Sequence, residues 1–152
     1  MVSWRYLVIS LLLALMVIAA GCGRQTPSTA PVVTLEKLRS SPQQYNGKTV
    51  VVETFCFSGF ETIVLSERLE LSGYAAGHLI PKGGMLWIEG GIPREIYDQL
   101  YQQQMMGPTE RYGKVRVKGK FEYGGQYGHL GGFNAQIVPA EMELLSWSPP
   151  GE

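Results

Sequence analysis

The chain is 152 residues long, 45% apolar, and balanced at 13 basic against 13 acidic side chains. That balance excludes recruitment to nucleic acid or anionic lipid by bulk electrostatics. The two histidines, His78 and His129, have no cysteine or carboxylate at metal-ligand spacing, so no metal centre, cofactor or catalytic residue is expected, and no enzyme.

Met1 to Tyr6 carries a single charge, Arg5, and Leu7 to Ala20 is an uncharged apolar run that ends in small residues. The run falls short of the roughly 20 residues that a membrane-spanning helix needs, and it reads as an export signal that is cut off. The next residues, Ala19-Ala20-Gly21-Cys22, resemble the lipobox of bacterial lipoproteins, with Ala19 where an aliphatic residue is commoner. The resemblance implies a signal peptide over residues 1–21 and a lipid thioether on Cys22. It also implies further acylation of the new amino group, by palmitate or a similar chain. Each buried CH₂ contributes about 0.8 kcal/mol, so two or three acyl chains anchor a protein durably where one does not.

Residues 22–33 are then the lipidated N-terminus and a spacer, with Gly23 to Val33 rich in Pro, Ser and Thr and free of apolar periodicity. Losing residues 1–21 removes only Arg5 and leaves 12 Lys+Arg against 13 Asp+Glu. The expected address is the cell membrane or the outer membrane, lipid-anchored, with the domain outside the cytoplasm. Gly23, which follows the lipidated position, permits the outer membrane without requiring it.

A domain is expected over residues 34–147, enough for one core, followed by a short tail at 148–152. Thr34 can cap a helix from Leu35 to about Ser40, which Ser41-Pro42 ends. Asn46-Gly47 turns the chain into a strand, Thr49 to Phe57, with Phe60 to about Leu71 as its hairpin partner. Cys56 lies in that first strand and reads as a small buried hydrophobe. Gly73 to Gly84 reads as a loop, and Met85 to Glu89 as a third strand. Ile92, Ile96 and Leu100 recur at helical spacing between Pro93 and Gly107-Pro108, which predicts a helix of about three turns. Tyr112 to Tyr123 alternates strictly, with Val115, Val117, Phe121 and Tyr123 on one face and Lys114, Arg116, Lys118, Lys120 and Glu122 on the other. A glycine-rich loop, Gly124 to Gly132, leads to a fifth strand, Asn134 to Val138, which Glu141 to Trp147 can extend.

Three strands, a helix and two strands is the element order of the OB-fold. The opening Leu38 to Val52 also resembles small OB-fold modules in which a Ser-Pro…Tyr-x-Gly-Lys-x-Val segment leads into the first strand. Loosely extended over Leu35 to Leu145, the resemblance implies a mainly β domain with one or two short helices: an OB-fold-like, five-stranded, partly open barrel. Another small antiparallel barrel or sandwich is the competing architecture.

OB-folds bind on the face of strands two and three and with the loops joining strands one to two and four to five. The latter loop carries Tyr127 and His129 and is flanked by Tyr123 and Phe133, which makes these four the candidate ligand residues. The plainer alternative is a hairpin whose aromatic rings cover the open end of the barrel. The function expected is a non-enzymatic binding or assembly module of the cell envelope, partnered by the membrane through its lipid and by another envelope protein or a small ligand. The alternatives are a small extracytoplasmic enzyme using His129, or a single-strand or polyanion binder through the Lys114 to Lys120 row. Strand alternation explains that row without a ligand, and nucleic acid is disfavoured.

Overall fold

The computed structural model describes residues 29–150. The signal expected over residues 1–21, the lipid site Cys22, the spacer up to residue 28 and the last two residues of the tail lie outside the described residues. From Thr29 the chain runs to Val32, which makes a parallel bridge to Val51. Val33 N donates to Val51 O and Val51 N to Pro31 O, each at 2.9 Å.

Helix α1 (Leu35–Ser40) begins where the Thr34 hydroxyl accepts from Lys37 N, and it buries Leu35 and Leu38. A second turn, α2 (Pro42–Tyr45), follows at once, because Pro42 suits a first helical position as well as it ends a preceding helix. The strands are β1 (Thr49–Gly59), β2 (Thr62–Leu71), β3 (Leu79–Ile88), β4 (Tyr101–Gln103), β5 (Glu110–Tyr127) and β6 (Phe133–Leu144), with α3 (Arg94–Tyr97) between β3 and β4.

β1 pairs antiparallel with β2 and with β5, β2 with β3, and β5 with β6, while β3 and β6 run parallel. Five strands thus close a ring in the order β1-β2-β3-β6-β5, with β4 attached to the start of β5. The ring is mainly β and consistent with a partly open, OB-fold-like barrel. Its parallel seam consists of only Trp87↔Gln136 and Ile88↔Ile137, so closure is thinnest there.

Alternation sorts the apolar side chains to two faces. Val50, Val52, Cys56, Leu65, Leu86, Ile88, Val115, Val117, Phe121 and Ile137 fill the main core under α1. Their neighbours Phe57, Val64, Trp87 and Tyr112 point the other way and form a second cluster with Leu69, Leu79, Tyr101, Phe133 and Trp147. The C-terminal segment is part of this packing: the Trp147 ring lies edge-on to Phe55 at 5.1 Å and to Tyr101 at 5.8 Å.

Three elements differ from the sequence expectation. β3 starts at Leu79, inside the expected loop, because Gly84 accommodates a side chain from α1 and does not mark a turn. A Cβ on Gly84 would collide with Arg39 Cδ, and the register slips opposite it between Ser66 and Arg68. The helix of three turns contracts to α3, although Ile96 and Leu100 are both buried as the periodicity requires. Tyr101 leaves the helix to stack on Tyr112 at 5.9 Å, and Arg111 takes the Tyr97 carbonyl at 2.9 Å. Lastly, the expected loop at Gly124 to Gly132 is half strand: β5 continues to Tyr127, and only Gly128 to Gly132 turns. Among the described residues no helix is long and apolar enough to cross a membrane.

Candidate functional site

Two turns distant in sequence meet beside Trp87. The β1–β2 turn contributes Gly59, Glu61 and Thr62, and the β5–β6 turn contributes Gly128 and His129. Together with Ile63 and Trp87 they line an open cleft of about 360 Å³, within the range of small-ligand sites. Across its mouth His129 Nε2 lies 3.1 Å from Glu61 Oε2, with both side chains nearly half exposed. Glu61 and Leu130 are the two non-glycine residues of positive φ among the described residues, and one sits in each turn. Such backbone is uncommon away from glycine and gathers at sites where the surroundings hold it.

The indole is held in place from three directions. Its Nε1 donates to Glu89 Oε2 at 3.2 Å, and Phe133 tilts against it at 5.6 Å. Gly128 supplies the third contact, with a would-be Cβ 2.7 Å from the indole ring and 2.8 Å from Phe133. Its φ of 71° and ψ of −166° fall in a region that essentially only glycine occupies.

No family model, curated protein or solved structure matches the chain. The site therefore rests on its own geometry.

Of the four residues expected from the sequence, His129 lines the cleft and Phe133 braces its floor. Tyr127 is opposite Phe133 in the β5–β6 register, with its ring over Gly125. Tyr123 lies apart: its N–H donates to Asn46 Oδ1 at 2.9 Å, and its ring lines a groove beneath α1 with Leu38, Arg39 and Met85. Sequence reasoning missed Glu61 and Trp87. The expectation that OB-folds bind through the first hairpin turn and the third strand was the signal that could have found them.

The basic row faces solvent as alternation predicts, and three of its members are matched by carboxylates. Arg116 bridges Glu53 and Glu143, Lys118 meets Glu141 at 2.6 Å, and Lys120 meets Glu122 at 2.8 Å. The Lys120 bond, seconded by Gln136, holds the Glu122 carboxyl below its ordinary range.

A second polar cluster is structural in character. His78 is 6% exposed, with Nδ1 2.9 Å from Ser72 Oγ and Nε2 2.9 Å from Glu110 Oε2. A carboxylate only accepts, so Nε2 donates to Glu110, while Nδ1 lies within hydrogen-bond distance of the Ser72 hydroxyl. Gln103 extends the cluster by donating to Glu110 Oε2 and to Leu79 O and accepting from Leu79 N. The result is a clasp that fastens the β2–β3 hairpin to β4 and β5, closing the second apolar cluster.

Cys56 is fully buried in β1, and burial pushes its thiol up to about 12, leaving no thiolate for nucleophilic chemistry. Among the described residues no group of three His, Cys, Asp or Glu side chains could hold a metal ion.

Proposed function

We propose that the chain is a lipid-anchored, non-enzymatic binding module of the cell envelope, tethered through Cys22 and engaging its ligand in the Trp87 cleft. The observation that carries this reading is the meeting of the β1–β2 and β5–β6 turns at Glu61 and His129, beside a tryptophan whose ring is fixed by Phe133 and Gly128. A preorganised aromatic surface flanked by a few polar groups is the usual composition of a ligand site.

The placement of the two ends of β1 supports the tether. Ala30 and Pro31 adjoin Thr49 at the start of the strand, and the cleft lies at its far end, by Gly59. At about 3.3 Å per residue, the strand separates the two by on the order of 30 Å. A domain held through its N-terminus would thus have its tether and its cleft at opposite ends of β1. Pairing of the basic row with carboxylates weakens any attraction to polyanions.

Retention on isolated envelopes tests this. Cys22→Ser protein, released from its lipid, is expected to co-sediment with envelope material, and Cys22→Ser/Trp87→Ala protein to stay in the supernatant. Equal sedimentation of the two would remove the cleft from the account. The enzymatic alternative rests on the carboxylate beside His129, the arrangement of an oriented general base. A turnover lost in His129→Ala and kept in Trp87→Ala would establish it.

A further inference from the structure

We infer that the occupant of the Trp87 cleft is an uncharged sugar of an envelope glycan, stacked on the indole and hydrogen-bonded by the rim. This deepens the binding reading above and rests on it.

The chemistry of the lining narrows the choice. Among the described residues no Lys or Arg lines the cleft, and its one carboxylate, Glu61, is already opposite its one imidazole, His129. A phosphate or carboxylate ligand would find no lysine or arginine among the lining residues, and Arg116, Lys118 and Lys120 of the basic row are paired with their own acids. A purely apolar ligand fits no better, because the Glu61 carboxylate, the Thr62 hydroxyl and His129 surround the indole and would lose water without gaining partners.

What suits both parts is a flat ring with an apolar C–H face for the indole and hydroxyl donors around its edge. The Glu61 carboxylate accepts two such hydroxyls, and Thr62 and His129 each both donate and accept. At positions 59 and 128 the lining is glycine and adds no side chain of its own to the cleft. A proline-rich peptide would also stack on tryptophan, but a proline ring brings no donor for Glu61.

The test uses the full lipidated chain in micelles of a detergent without a sugar headgroup. The probes are a β-1,4-linked N-acetylglucosamine tetramer, a β-1,4-linked glucose tetramer and a proline decamer, with saturation-transfer NMR and calorimetry as readouts. At least one tetrasaccharide is expected to bind saturably. Trp87→Ala should weaken it tenfold or more, Glu61→Gln and Thr62→Ala several-fold, and Trp147→Phe not at all. The two rim variants change the exposed Glu61 and the half-buried first residue of β2, Thr62, outside both apolar clusters, and keep the test decisive if Trp87→Ala unfolds. Absence of saturable binding by both sugars, binding indifferent to the cleft variants, or binding of the proline peptide in their place would each overturn the inference. Envelope retention that depends on Trp87 while no sugar binds would leave the cleft reading standing and the sugar wrong. Retention independent of Trp87 would remove the cleft itself.

Discussion

Gly128 rests directly on the indole of Trp87, so closely that one added methyl group would stand 2.7 Å from the ring. The contact joins a turn of the last hairpin to the third strand, and it sets the floor of the cleft.

Gly128→Ala should be among the most damaging single substitutions in the domain. Alanine meets both the indole and Phe133, and it is forced into backbone that non-glycine residues avoid. Strain and overpacking together should cost about 2–4 kcal/mol. Urea denaturation checks this, and a loss under 0.5 kcal/mol would show that the turn does not sit on the ring.

The His78 clasp predicts a different effect. His78→Ala takes the imidazole partner from the Glu110 carboxylate, which keeps Gln103, and from the Ser72 hydroxyl, which keeps Tyr74 N, at a cost of about 1–3 kcal/mol. Amide exchange should rise around Leu79 and Gln103, which share the clasp, with little change at Gly128 and His129. Uniform loss of protection across the barrel would contradict a local fastening.

Cys56 gives the domain a pH dependence of definite sign. Its thiol rises from an ordinary 9.0 to about 12 in the fold. Below pH 9 both folded and unfolded chains keep the proton and the residue contributes no slope. Between 9 and 12 only the unfolded chain ionises, so stability falls as pH rises, by up to about 1.4 kcal/mol per unit. Subtracting the stability curve of Cys56→Ala from that of the unaltered chain isolates the effect. Parallel curves between pH 8 and 11 would refute it.

Local rules predicted the parts of the fold that local chemistry decides. The Thr34 cap, the Asn46-Gly47 turn and the alternation from Val115 to Phe121 were readable because each depends on neighbours in sequence. The stretch from Ile92 to Tyr101 was misread because its fate depends on Tyr112 and Arg111, which compete for the end of the helix. Gly84 likewise signals Arg39 overhead, a contact that composition does not encode. For the site, the glycine-rich segment pointed to His129 and Phe133. Glu61 and Trp87 come from other hairpins, and no spacing links them to His129. Tyr123 was grouped with His129 by proximity along a chain that, in the fold, carries it to the groove under α1.

Lipid attachment has its own test. Cells fed a palmitate analogue should label the chain, and Cys22→Ser should abolish the label. An unlabelled native chain would contradict the tether.

Photo-crosslinking in living cells tests whether the two turns beside Trp87 form the working surface. A benzophenone amino acid in place of Phe60, 69% exposed in the β1–β2 turn, inserts into C–H bonds of sugar or protein alike. The same group at Lys48, at the opposite end of β1, serves as control. An adduct is expected from position 60, abolished by Trp87→Ala, and none from position 48. No adduct from position 60, or one indifferent to Trp87, would contradict that role of the two turns.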